Sequence, residues 1–315
     1  MIISNLSDEN IKFYINKEIM VNCTISGAFK NNDIYKYSCD YLNIRDDRKK
    51  GSWKTNFILK HLENVITEYN NNKYIEENIN ENVICFISSF TTGTVHGYAS
   101  IWEYIIYYLK NKLNSKIILS TTTQSGIKQI VTHIFKKENI ILLKPNIIYN
   151  IKHITFIPIT QFHFSDIFWK DTEKYFTKYI INQKFNTNIK KIALFKTTNT
   201  DNCSKTGIMD SKIVDLFCKK NNIYKLIPVQ HNEINTANLI HNCEIFICCW
   251  GTAYYKNIRY IGNKCKFIYV LIQKHFIGQY NLRKNTPNSH IYKKYKNAIV
   301  EYIIIDDITS LQFRI

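Results

Sequence analysis

The sequence predicts an α/β protein built from two Rossmann-like domains, each with a parallel sheet. Three observations carry that prediction. Apolar runs of strand length alternate with amphipathic stretches of helix length along most of the chain, the pattern of βαβ units. A chain of 315 residues exceeds the roughly 250–300 at which one hydrophobic core stops growing, so two domains sharing a cleft are expected. Two of the strand-like runs end in turns rich in glycine and small hydroxyl residues just ahead of a helix, the position where open α/β sheets hold ligands.

Taken in order, residues 19–25 suit a strand and 57–69 a helix, while the Asn-rich stretch from 69 to 82 reads as loop. Residues 83–90 (VICFISSF) read as a buried strand, 98–111 as a helix, 116–120 as a strand and 124–137 as a helix. Strands follow at 140–143 and 153–157, then a long helix at 166–183. Asn186, Thr187 and Asn188 interrupt the pattern, which restarts at 191–195, so a first domain over 1–185 and a second over 186–315 are expected. The second half supplies a helix at 209–220, a strand at 224–229, a short helix at 234–241 and a strand at 245–249. A helix at 253–261 and a strand at 266–272 complete the alternation, and 276–294 reads as irregular. Residues 298–305 suit a late strand, and the last residues have the option of returning to the first domain.

The net charge of +17 suggests a polyanion partner, yet only five of the 42 basic residues are arginine, leaving 42 − 5 = 37 lysines. Arginine reads bases and clamps phosphates bidentately, so nucleic acid is not the expected partner. The excess of Lys, Asn, Ile and Tyr matches an AT-rich genome. Nine cysteines, odd in number and never spaced Cys-x-x-Cys, read as small core residues in a reducing compartment. No run approaches the roughly 18 apolar residues of a membrane span and no leader is evident, so a cytoplasmic protein without a transmembrane segment is expected.

The run EIFICCWGT (residues 244–252) reads as a fully buried strand delivering a tight turn at Trp250, Gly251 and Thr252. A glycine there lets backbone N–H groups approach a phosphate or sugar, although a turn without ligand has the same pattern. The run TTGTVHGYASIWE (residues 91–103) follows the 83–90 strand and enters a helix, with Gly93 and Thr94 offering backbone freedom and a hydroxyl. His96 is the leading general-base candidate, able to take a proton from an alcohol near neutral pH. Its alternative is a helix-entry histidine that bonds locally. Glu103 lies two turns further along the same face. A third cluster, Lys196, Thr197, Thr198 and Asn199, ends the 191–195 strand and suits a phosphate. Asp-x-Asp is absent, so no carboxylate pair for a metal diphosphate is expected and no metal ligands are assigned. Walker, Gly-x-Gly-x-x-Gly and Gly-x-Ser-x-Gly patterns are also missing.

The order of these clusters resembles glycosyltransferase family 61, over about residues 83–272. VHGYASIWE (95–103) is similar to the family's Asn-x-x-His-x-x-x-Asp/Glu helix entry, IALFKTT (192–198) to its basic strand end, and IFICCWGTA (245–253) to its Gly-Pro-His-Gly-Ala turn. Ala99 and Trp250 stand where the family has histidine, and the basic pair is reduced to Lys196 and Thr197. The resemblance implies a GT-B architecture, two Rossmann-like domains facing a central cleft, and inverting, metal-independent transfer from a nucleotide-sugar to a glycan or glycoprotein hydroxyl. It implies His96 or Glu103 as base, and Lys196 with the Gly251 and Thr252 amides on the diphosphate. Tyr254 and Tyr255 would stack on the base or sugar. No cofactor beyond the nucleotide-sugar donor is implied. The composition fits a giant-virus or protist-like genome, hence glycan synthesis in the host cytoplasm or a viral factory. The competing expectations are a catalytically inactive glycosyltransferase-like binding protein and, from charge alone, a basic nucleic-acid-binding protein.

Overall fold

The computed structural model describes residues 2–3, 6–16, 25–38, 53–87, 95–157, 166–195, 211–227, 231–273, 276–284 and 293–305. Within them the chain is α/β, with two sheets and eight α-helices. It divides into two units, Met1–Thr172 and Glu173–Ile315.

The strands of the first unit are β1 (Ile2–Ile3), β2 (Ser7–Ile15), β3 (Ser26–Lys30), β4 (Asp33–Tyr35), β5 (Ile75–Cys85), β6 (Lys116–Ser120), β7 (Ile140–Leu143) and β8 (Ile147–Thr155). Its helices are α1 (Trp53–Asn70), α2 (Val95–Lys110) and α3 (Ser125–Phe135). All eight strands join one sheet in the order β1-β4-β3-β2-β8-β5-β6-β7. A wholly parallel sheet was expected here, and the finding corrects it. β8, β5, β6 and β7 run parallel, but β2, β3 and β4 are antiparallel to their neighbours from β8 outward. The antiparallel half comes from residues whose strands the sequence pattern leaves unassigned. The 19–25 strand expectation falls almost wholly outside the described residues.

The Asn-rich stretch read as loop is instead the first part of β5. Its residues are mostly exposed, so no apolar alternation marks them; pairing with β8 from Ile75↔Ile147 onward makes them a strand. A register shift between Ile79 and Asn82 then bends β5. β7 and β8 are parallel and separated by two strands, yet only Lys144, Pro145 and Asn146 join them, where a parallel crossover normally needs a dozen residues or more. The end of β7 and the start of β8 nevertheless meet, for Leu143, Ile141, Ile147 and Tyr149 share one core cluster. Lys144 N–H donates to Tyr149 Oη at 2.7 Å, and Asn146, left-handed at φ 62°, donates its N–H to Ile15 O at 2.8 Å.

The second unit begins within α4 (Asp166–Tyr179), whose Phe176 stacks on Tyr260 at 4.8 Å. Its strands are β9 (Lys191–Leu194), β10 (Tyr224–Lys225), β11 (Ile245–Cys249), β12 (Phe267–Gln273), β13 (Lys294–Tyr295) and β14 (Ala298–Ile305). Its remaining helices are α5 (Ser211–Lys220), α6 (Glu233–Asn242), α7 (Thr252–Asn257) and α8 (Ile277–Lys284). The sheet order is β10-β9-β11-β12-β14-β13, parallel except for the β13–β14 hairpin. Counted within the unit, its parallel strands follow the 2-1-3-4-5 order of a doubly wound sheet. β14 keeps residues 298–305 in this sheet; residues 306–315, for which a return to the first domain was considered, lie outside the described residues. α8 corrects the irregular reading of 276–294. Both faces are covered: Ile245, Ile247 and Cys249 pack with Val214 and Phe217 of α5, while Phe246 and Cys248 are buried on the other face.

Two loops at the amino ends of these strands are packed without slack. A Cβ on Gly262 would lie 2.2 Å from the carbonyl oxygen of His241. The His241 Nδ1 lies 3.1 Å from Tyr260 O, and burial followed by the charge of Lys296 lowers its pKa. Gly262→Ala is therefore expected to destabilise the second unit by about 1–3 kcal/mol or more in urea unfolding. Because the folded state holds His241 neutral, its contribution is complete above the unfolded pKa of about 6.5 and is lost as pH falls through the lowered folded value. Urea melts at about pH 7.5 and 5.5 should show an acid-side loss that His241→Gln reduces.

Candidate functional site

The second sheet has its topological switch point between β9 and β11. These strands are hydrogen-bonded neighbours, with Leu194 opposite Cys248, but β9 connects to β10 on one side and β11 to β12 on the other. In open α/β sheets such a point, outside the carboxyl ends of the strands, is where ligands bind. The EIFICCWGT run therefore lies beside the end of the 191–195 strand. Lys196, Thr197 and Asn199 themselves lie outside the described residues, as do Gly93 and Thr94.

Gly251 turns the chain out of β11 at φ 104°, ψ −142°. This conformation is essentially restricted to glycine. Nothing lies within 4 Å of where its Cβ would be, so the backbone, not crowding, demands glycine here. Thr252 follows as the first residue of the six-residue α7.

Trp250 points into a cluster of aromatic rings. It stacks on Tyr254 at 5.5 Å and meets Tyr255, Tyr280 and Tyr302 edge-on at 5.3, 5.6 and 5.8 Å. The Tyr254 and Tyr302 hydroxyls are 2.8 Å apart. Trp250 is 5 % and Tyr254 0 % exposed, so a base stacking on either ring would have to displace the cluster. Tyr255, Tyr280 and Tyr302 are only half-buried and form its rim. Tyr280 comes from α8 and Tyr302 from β14; no local pattern marks these as partners of Trp250.

A second group missed in the sequence sits below this turn. Glu233, at the start of α6, accepts hydrogen bonds from Lys256 Nζ and from Tyr260 Oη, each at 2.7 Å. The side chains of Lys256 and Glu233 are 12 % and 8 % exposed. Lys256, a cation one turn past Gly251, is thus committed to a buried ion pair. The pair ties α6 to α7 and so holds the helix that follows the turn.

In the first unit, His96 is the second residue of α2 and Glu103 lies seven residues on. The two share one helix. Tyr98, Ser100, Ile101, Trp102, Tyr104 and Ile105 are buried around Glu103, which is itself half-buried. Phe86, just past β5, packs on Tyr104 of α2 at 5.4 Å and on Phe135 of α3 at 5.8 Å, fixing the helix against the parallel half of the sheet. Among the described residues, no group of three His, Cys, Asp or Glu residues is arranged to hold a metal ion. No helix among them is long and apolar enough to cross a membrane.

The chain matches no protein-family model and no curated protein sequence.

Removing the Lys256 cation leaves the Glu233 carboxylate buried without its ion partner. Lys256→Met is expected to cost about 3–5 kcal/mol. Glu233→Gln combined with Lys256→Met should recover much of that loss, as measured by denaturant unfolding.

Proposed function

We propose that the chain is a GT-B type glycosyltransferase moving a sugar from a nucleotide-sugar to a glycan or protein hydroxyl, with inversion and without a bound metal. One observation carries the reading. The two strand ends that the family resemblance assigns to the donor diphosphate, those of β9 and β11, are neighbours at the switch point of a 2-1-3-4-5 sheet, and the second closes on a glycine-only turn at Gly251.

In this reading the diphosphate is held by Lys196, Thr197 and Asn199 after β9 and by backbone amides at Gly251 and Thr252. Gly93 and Thr94 are likewise proposed to bind ligand. His96 takes the proton of the acceptor hydroxyl, whose oxygen attacks the anomeric carbon as the bond to the diphosphate breaks; Glu103 orients or replaces it. The accessible rings for the base or sugar are the half-buried rim, Tyr255 and Tyr280, with Trp250 and Tyr254 as the packed floor. The work is done in the cytoplasm, that of the host if the gene is viral.

A second reading, a binding protein that has lost transfer, is favoured by Trp250: it stands where the family has a histidine, and the cluster buries it.

A thermal-shift screen against uridine, guanosine, thymidine and cytidine diphosphates and their sugars, without metal and then with manganese, tests the donor side. The expected result is stabilisation by one nucleotide class without metal. His96→Ala should keep that shift while transfer to acceptor falls by about 10²–10⁴. Binding without transfer in the parent chain would select the second reading. No shift with any nucleotide, in a protein that melts cooperatively, would overturn the nucleotide-sugar assignment altogether.

A further inference from the structure

At the opposite end of the second sheet from Gly251, two cysteines face each other. Cys243 and Cys265 each stand two residues ahead of a strand, and Ile245 at the start of β11 pairs in parallel register with Phe267 at the start of β12. Counting back two residues on each chain sets the cysteines side by side. The chains are still joined there, since Lys266 N–H donates to Glu244 O at 2.7 Å. Neighbouring strands lie about 4.8 Å apart, inside the Cα separation of about 4.4–6.8 Å that a disulfide spans. The two thiols interact electrostatically; Cys243 S–H donates to Ile240 O at 3.1 Å and Cys265 S–H to Phe267 O at 3.3 Å, both side chains are buried, and both are free thiols. Cys265 also lines an open groove of about 740 Å³, with Lys190, Glu244, Lys264 and Lys266 around it.

We propose that Cys243 and Cys265 are a hydroperoxide-reactive dithiol, a modification site that closes to a disulfide across the starts of β11 and β12. The division of labour follows from access, since Cys265 lines the groove and Cys243 does not. Their mutual interaction lowers the pKa of Cys265 and, together with burial, raises that of Cys243. Cys265 is the thiol that a hydroperoxide entering the groove meets, and it reacts as its thiolate. It attacks the nearer peroxide oxygen, the O–O bond breaks, and the leaving alkoxide or hydroxide takes up the proton Cys265 released. The resulting sulfenic acid condenses with the Cys243 thiol, forming the S–S bond and releasing water. Two thiols are oxidised and one hydroperoxide is reduced to an alcohol, or to water, plus water.

The other described cysteines lack this arrangement. Cys248 and Cys249 are consecutive in β11 and point to opposite faces; burial raises the Cys248 thiol well above its usual value and Cys218 to about 11. The segment enclosed between Cys243 and Cys265 contains β11, the Gly251 turn and α7. Oxidation would thus brace the portion of the chain that carries the switch-point turn.

The test is to titrate the folded full chain with hydrogen peroxide, block remaining thiols by alkylation, and map non-reduced peptides by mass spectrometry. The expected result is a Cys243–Cys265 linked peptide lacking two hydrogens, formed before any other cysteine product. The melting temperature should rise by roughly 5 °C or more. Cys265→Ala should abolish both effects, and Cys248→Ala should leave both in place. Full alkylation of Cys243 and Cys265 after peroxide treatment of the folded protein would overturn the proposal. So would a linked peptide that arises only after urea unfolding; both outcomes are read on the unmutated chain and do not depend on a variant folding.

Discussion

β11 is hydrogen-bonded on both edges, to β9 and β12, and all five of its residues are buried. Such a strand tolerates no polar side chain on either face, which is why residues 245–249 read IFICC. Each buried large apolar side chain contributes about 1.5–3 kcal/mol, and the strand's alternating residues knit α5 on one face to the opposite core on the other. Its ends inherit this rigidity. At the carboxyl end Trp250 N–H still bonds Leu271 O at 2.8 Å, so the ladder runs up to the residue before Gly251 and the chain leaves the sheet in a single step. At the amino end Glu244 N–H bonds Lys190 O at 2.7 Å, and the carboxylate of Glu244 lies 3.2 Å from Lys190 and 3.0 Å from Lys266. The proposed donor turn and the proposed dithiol are therefore the two ends of one strand.

Charge is distributed by a different logic. Most of the basic excess is lysine, and the ion pairs of Glu81 with Lys116 and of Glu244 with its two lysines are solvent-exposed on at least one side. Exposed pairs of this kind contribute little. Glu233 is the exception: its pairing with Lys256 and Tyr260 is buried and fixes where α7 starts relative to α6. A positive field remains available to an anionic ligand, while Lys256, five residues past Gly251, is held in a structural role.

How much was legible follows from where the information lies. The β11 run and its turn were readable because burial on both faces and a positive-φ glycine leave direct marks on composition. α2, α3 and α5 were readable from amphipathic spacing. The first part of β5 was not: Glu76, Glu77, Asn78 and Asn80 have low strand preference and are exposed, and only the β8 partner makes them extended. β2 opens on Ser7, Asp8, Glu9 and Asn10 and shows apolar alternation only at its end, so the antiparallel half of the first sheet went unrecognised. α8 is short and polar. The Trp250 cluster and the Cys243–Cys265 pair are products of register between segments distant in sequence, which no local pattern encodes.

The position of β8 has a consequence for synthesis. β8 closes the edge of β2, and Ser7 reaches its partner Thr155 across 148 residues of chain. Until those residues emerge from the ribosome, roughly 7–30 s later at about 5–20 residues per second, the β2–β3 hairpin presents an unpaired edge carrying Ile11, Phe13 and Ile15. Open apolar edges of this kind recruit other strands. The nascent chain is thus most exposed to mispairing early, and a pause in translation between β5 and β8 would prolong that exposure more than a pause anywhere in the second unit.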